Sequence, residues 1–187
     1  VEAMWEDWKS QSQVEQDGIH RWRASEDFAG ASAREYASYL VRRVVERTSD
    51  DFEFTSEEVM QILCTAALEG PTFTMESVAE ATNFHVDDLF DFFSTGVQQA
   101  GVFLVQTAGV RIEQRETRTL KDLRRFRFEP LGGYYVFLQY PAEVERRSWA
   151  YRLCDALEQT YWPYPDPLYL GLARLFELGG PVEPDAK

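Results

Sequence analysis

Cysteine and histidine are scarce in this chain of 187 residues, with two of each. Cys64 and Cys154 are far apart, each inside an apolar helical stretch, so they make neither a disulfide framework nor a zinc knuckle. Unpaired cysteines of this kind suit a reducing cytoplasm. His20 and His85 stand alone, whereas a metal site needs several ligands that converge. Lysine is confined to Lys9, Lys121 and Lys187, none of which follows a glycine, so the G-x-x-x-x-G-K-[ST] phosphate loop is absent. No G-x-S-x-G occurs, and Ser94 and Ser148 lack a nearby histidine. The adjacent carboxylates Asp50/Asp51, Glu57/Glu58 and Asp87/Asp88 fall at expected helix termini, where capping and the helix dipole account for them. Neighbours on a helix also point too far apart to share one substrate. The expectation is a chain that is not an enzyme and holds neither cofactor nor metal.

Long apolar runs are missing too. Nothing approaches the roughly 18 residues of a membrane span, and VEAMWEDWKS has neither the basic start nor the apolar centre of a signal peptide. A soluble, cytoplasmic protein with no membrane partner is expected.

What is abundant is acid. The net charge is −13, from 19 Lys+Arg against 32 Asp+Glu. It is unevenly placed: residues 1–100 carry 7 basic and 20 acidic side chains, while residues 101–187 carry 12 of each. The single basic patch is Arg111, Arg115, Arg118, Lys121, Arg124, Arg125 and Arg127, interspersed with Glu113, Glu116 and Asp122.

Periodicity gives a mainly α chain. Val1, Met4, Trp5 and Trp8 follow a helical period with no cap before them, which reads as a chain entered partway through a longer one. Asp17-Gly18 marks a turn before a short alternating strand, IHRWR, at 19–23. A helix over about 32–47 places Tyr36, Tyr39, Leu40 and Val44 on one face. Thr55 and Glu58 form a capping box for the helix that ends at Gly70-Pro71. Thr74 is placed to cap a short helix closed by Asn83, and Val86 begins another with the stripe Leu89, Phe90, Phe93 and Val97, stopped by Gly101. VFLVQT (102–107) and VRIEQ (110–114) read as strands joined at an Ala108-Gly109 turn, with RFRFE (125–129) as a third. Residues 141–162, with Val144, Trp149, Leu153 and Leu157 in register, and 166–180 form a helical hairpin across YWPYPDP.

Three helices followed by a β-hairpin spell a winged helix-turn-helix, and the hairpin after it is TPR-like. The expected domains are 1–54 (an N-terminal helix, short hairpin and linking helix), 55–140 (the winged helix) and 141–187 (the helical hairpin). A winged helix suggests DNA, with its last helix in the major groove. Here that helix begins Val86-Asp87-Asp88-Leu89-Phe90-Asp91, three carboxylates where phosphates would lie, so nucleic acid is not expected as a partner. The arginines of 111–127 read as solvated hairpin faces and partners of the acidic first half; a basic wing gripping a phosphate backbone is the alternative. Most aromatics belong to packing, while Tyr161, Trp162 and Tyr164 in YWPYP are candidates for a protein-interaction surface.

The order helix, DGIHRWR hairpin, helix, winged helix, FRFEPL and then PAEVERRSWAYRLCDALEQTY resembles the region downstream of the nucleotide-binding core in STAND-type AAA+ signal-transduction ATPases. VEAMWEDW resembles the helix after their Gly-Asn-Pro turn, and VEQDGIHRWRASEDF the hairpin that follows. The resemblance implies a regulatory winged helix that folds over a nucleotide-binding domain in the same or a partner chain, followed by a helical-repeat arm that meets protein partners. Many members carry a histidine in F-x-H near the end of the winged helix that touches the nucleotide phosphate. Here Phe128, Glu129 and Pro130 occupy that neighbourhood, so no such residue carries over. GGYYVFLQYP also departs from the charged helix common there.

Overall fold

The computed structural model describes residues 14–16, 22–24, 33–48, 52–97, 104–114, 119–129, 131–162 and 169–179. Within them the chain is mainly helical, with one three-stranded antiparallel sheet and a separate two-stranded ribbon. The ribbon pairs β1 (Val14–Gln16) with β2 (Trp22–Ala24), setting Glu15 opposite Arg23. The strand expected at 19–23 is therefore displaced toward 22–24. The expected N-terminal helix, the Asp17-Gly18 turn and Gly101 lie outside the described residues.

Helix α1 (Ala33–Thr48) buries Ala37, Leu40, Val41 and Val44 at i, i+3, i+4, i+7 spacing. Thr48 Oγ1 donates back to the Val44 carbonyl at 2.9 Å, and Phe52 N–H closes on the Thr48 carbonyl at 2.8 Å. Helix α2 (Ser56–Glu69) begins with the expected capping box: Thr55 Oγ1 accepts from Glu58 N–H at 3.2 Å, and Glu58 Oε2 accepts from Thr55 N–H at 2.8 Å. Nine of its residues are buried in succession from Val59, apart from Gln61, so the helix is enclosed on nearly every side. Gly70 ends it at φ 152°, a backbone that side-chain-bearing residues rarely adopt.

A short strand, β3 (Thr72–Thr74), leads directly into α3 (Met75–Thr82). Asn83 stops α3 in the left-handed region at φ 60°, as its residue type suggests. Thr74 does not cap α3 through its side chain; that hydroxyl is held elsewhere. Helix α4 (Val86–Asp91) runs into a π-helical turn, Phe92–Gly96. The widened turn lets the consecutive Phe92 and Phe93 both be fully buried. The apolar stripe is accordingly Leu89, Phe92, Phe93 and Val97, with Phe90 only partly covered, because a regular 3.6-residue period does not survive the π turn.

Strands β4 (Leu104–Gln114) and β5 (Thr119–Phe128) form one long antiparallel hairpin, and the sheet order is β3-β5-β4. Ala108-Gly109 is not the hairpin turn. The register slips there between Thr107 and Val110, and β4 continues past it as a bulged strand. A turn and a bulge both favour glycine, which is why the local signal misleads. A Cβ on Gly109 would lie 2.5 Å from the Leu123 carbonyl oxygen, so only glycine fits without displacing backbone. Gly109→Ala is expected to cost about 1–3 kcal/mol, read as a lowered denaturation midpoint. An unchanged midpoint would contradict so close an approach of Gly109 to the Leu123 carbonyl. RFRFE is not a third strand but the end of β5, with Phe126 and Phe128 buried.

The apolar stretch after the sheet forms α5 (Leu131–Gln139), which packs on α1 and α2. Helices α6 (Glu143–Tyr161) and α7 (Tyr169–Gly179) pack on each other, and α6 lies along α3. Val144, expected on the apolar face of α6, is 79% exposed; Leu153 and Leu157 are buried. Val144 lies in the first turn of α6, ahead of the stretch from Ala150 onward that packs inward.

Strand β5 is covered on both sides. Phe126 and Phe128 join Phe73, Phe92 and Phe93 in the core built by α1 to α5. Leu123, of opposite parity, joins Ile112 and the α6–α7 residues Leu153, Leu157, Leu172 and Leu175 in a second core. The two cores cross the expected boundaries at 54/55 and 140/141: α1 is built into the first, and the helical pair shares the second with the sheet.

Candidate functional site

The hairpin basic residues were the first candidates, and most of those described are occupied internally. Arg111 and Asp122 face each other across β4 and β5, with Nε to Oδ1 at 2.6 Å and Nη2 to Oδ2 at 3.3 Å. This two-point bond holds the Asp122 carboxyl below its ordinary range although both groups are exposed. Arg127 pairs with Glu129 at 2.8 Å, also in solvent. Lys121 is partly exposed opposite Ile112. Arg115 and Arg118 lie outside the described residues.

Arg124 reaches furthest into the acidic half of the chain. Its Nε meets Glu76 Oε1 at 3.0 Å, its Nη1 lies 3.6 Å from Asp87, and its guanidinium sits 4.8 Å above the Phe90 ring. Its backbone N–H donates to Glu76 Oε2 at 2.9 Å. β3 pairs with β5 only at residues 125–127, so Glu76 supplies the acceptor for the next N–H after that partner strand ends. Asp87 and Asp88 in the first turn of α4, and Asp91 at its end, are exposed. The exposed surface of α4 thus carries carboxylates, and Arg124 beside it is paired with Asp87 and Glu76.

The interaction aromatics separate. Tyr161 is not on the surface: it is 5% exposed, and its hydroxyl lies 2.7 Å from Thr74 Oγ1. The last turn of α6 is laid against β3 and α3, so the ring is covered and its polar tip finds the hydroxyl that was expected to cap α3. Trp162, one residue on, is 66% exposed, and Tyr164 lies outside the described residues.

Around Tyr161 the fold gathers a cluster that sequence reading missed. Glu69, the last residue of α2, accepts from Thr74 N–H at 2.8 Å through Oε1, while Oε2 is closed to solvent and has no partner. Burial pushes its carboxyl up to about 8, against the opposing pull of the Thr74 hydrogen bond and the Arg125 charge. Arg125 Nε is likewise closed off without a partner. Burial also raises the Tyr161 hydroxyl above its usual value. One signal was available: an acid in the last turn of an apolar helix sits at the end where the dipole disfavours it.

The surface also has a groove of about 480 Å³ between α1, α2 and α6, floored by Val41, Met60 and Trp149 and edged by Glu57 and Glu145. Both acids serve helix starts: Glu145 accepts from Ala142 N–H at 2.9 Å, and Glu57 lies in the first turn of α2. A second concavity runs along α1 beside Tyr39, Arg42, Arg43, Glu46 and Arg47. Among the described residues no group of three or more His, Cys, Asp or Glu is placed to hold a metal, and no helix is long and apolar enough to cross a membrane. Cys64 and Cys154 are free and buried, and burial raises both thiols. Comparison with known protein families, with curated proteins and with solved structures finds no match.

Proposed function

We propose that the chain is a non-catalytic regulatory module of a cytosolic signalling ATPase. Its α2–α4 helices and β4–β5 hairpin are read as a winged helix that packs on a nucleotide-binding domain, and α6–α7 as the first hairpin of a TPR-like arm for protein partners. The observation that carries this is the Arg124–Glu76–Asp87 cluster. It spends the hairpin's central cation inside the fold and leaves Asp87, Asp88 and Asp91 on the face that a DNA reader would press against phosphates. A fold of this element order with an acidic face suits a basic protein surface instead.

Two measurements test it. Fluorescence anisotropy with random duplex DNA at about 20 mM salt is expected to show no saturable binding; binding that weakens steeply with salt would favour the DNA-regulator reading through Arg111, Lys121 and Arg127. The coding sequence around Val1 is expected to hold a G-x-x-x-x-G-K-[ST] loop and an acidic metal-binding strand. That ATPase segment, made separately, should turn over more slowly with this chain added. No change in turnover and no co-elution would sink the proposal.

A further inference from the structure

The α6–α7 pair is attached to the sheet by a polar root as well as by apolar packing. At that root lie Glu69 from α2, Thr74 from β3, Glu76 from α3, Arg125 from β5 and Tyr161 from α6. Tyr161 supplies the contact from the arm to this cluster, the 2.7 Å bond between its hydroxyl and Thr74 Oγ1, while α7 makes a second polar contact elsewhere, from Arg174 to the Tyr134 hydroxyl of α5 at 2.7 Å. Thr74 is held in place from the other side, because its N–H donates to Glu69. Glu69 is therefore joined to the Tyr161 contact through a single residue, Thr74.

Geometry fixes the charge state that this arrangement tolerates. Among the described residues, Thr74 is the hydrogen-bond donor to Glu69, Oε2 has no partner, and no Lys or Arg forms an ion pair with it. A carboxylate in that position would be desolvated and uncompensated, whereas the neutral acid fits. Of the charged neighbours, Glu76 is tied to Arg124 and would repel an ionised Glu69, while Arg125 would attract it without touching it.

We propose that Glu69 is a proton-controlled latch: as the neutral acid it lets Tyr161 and Thr74 hold the α6–α7 pair on the sheet, and loss of its proton to solvent water loosens that pair. The inference stands whether or not the chain serves an ATPase. The direction follows from linkage. The closed state keeps the proton up to about pH 8, and a solvated Glu69 in the opened state releases it near the ordinary value of 4.5. Opening therefore becomes easier as pH rises through that window and levels off above about 8. Tyr161 stays neutral throughout, since its hydroxyl is raised above 10.

Hydrogen exchange of the full chain between about pH 5.5 and 9, corrected for intrinsic chemistry, reads this out. Protection of the last turns of α6 and of α7 is expected to fall roughly tenfold per pH unit up to about 7.5 and then flatten, as release of one proton requires. The middle of α2, Ile62 to Ala66, should keep its protection. Glu69→Gln, neutral at every pH, should erase the slope. Tyr161→Phe should lower arm protection at every pH but keep the slope. A wild-type arm without the slope would overturn the proposal, as would a slope surviving in Glu69→Gln or an equal loss in α2.

Discussion

Glu76→Ala is expected to lower global stability by about 2–4 kcal/mol, seen as a reduced denaturation midpoint at an unchanged m-value. Glu76 is 9% exposed and holds Arg124 at two points, the guanidinium at 3.0 Å and the backbone N–H at 2.9 Å. Truncation leaves a strand N–H without its acceptor and a partly buried cation without its counter-charge. Glu76→Gln keeps an acceptor of the same shape and should cost visibly less, about 1–2 kcal/mol. If alanine and glutamine behaved alike, the ion pair alone would carry the effect and the strand-extending role would be wrong. Arg124 is 30% exposed along its side chain, so solvent weakens the ionic part and leaves the backbone bond as the firmer contribution.

This cluster also marks how far the sequence could be read. Features fixed by a few adjacent residues were legible: the Thr55–Glu58 box, the Gly70 stop and the left-handed Asn83 each follow from local backbone chemistry. So was the mainly helical composition with a small antiparallel sheet. Features that depend on a partner distant in sequence were not. Ala108-Gly109 satisfies the requirements of a turn as well as those of a bulge, and only the Leu123 carbonyl across the strand decides between them. Phe92 falls outside the stripe that a regular helical period predicts, because the π turn breaks that period. Helix α5 is apolar nearly all round and begins Leu-Gly-Gly, so no amphipathic pattern announces it. Glu69 and Tyr161 acquire their setting from Thr74, 87 positions before Tyr161 along the chain. The arginines of the hairpin looked like a surface patch for the same reason, since nothing near them in sequence reveals that Arg124 reaches Glu76, 48 positions away.

The largest effect is expected from Phe126→Ala, about 3–5 kcal/mol, a large share of what a domain of this size has in hand. Phe126 is fully buried, with ring centroids 5.4 Å from Phe93, 6.1 Å from Phe73 and 6.3 Å from Phe90. It therefore joins β3, α4 and the π turn to the central strand. Removing the ring leaves a cavity walled by other aromatic rings that cannot all close on it. Leu123→Ala, on the opposite side of the same strand, removes a smaller side chain from the core shared with α6 and α7, and about 2–4 kcal/mol is expected. The pair of variants asks whether the chain divides at 140/141. With β5 common to both cores, each variant should shift a single transition seen alike by near-ultraviolet and far-ultraviolet dichroism. Two separated transitions, with Leu123→Ala moving only one, would instead make α6–α7 an independent unit.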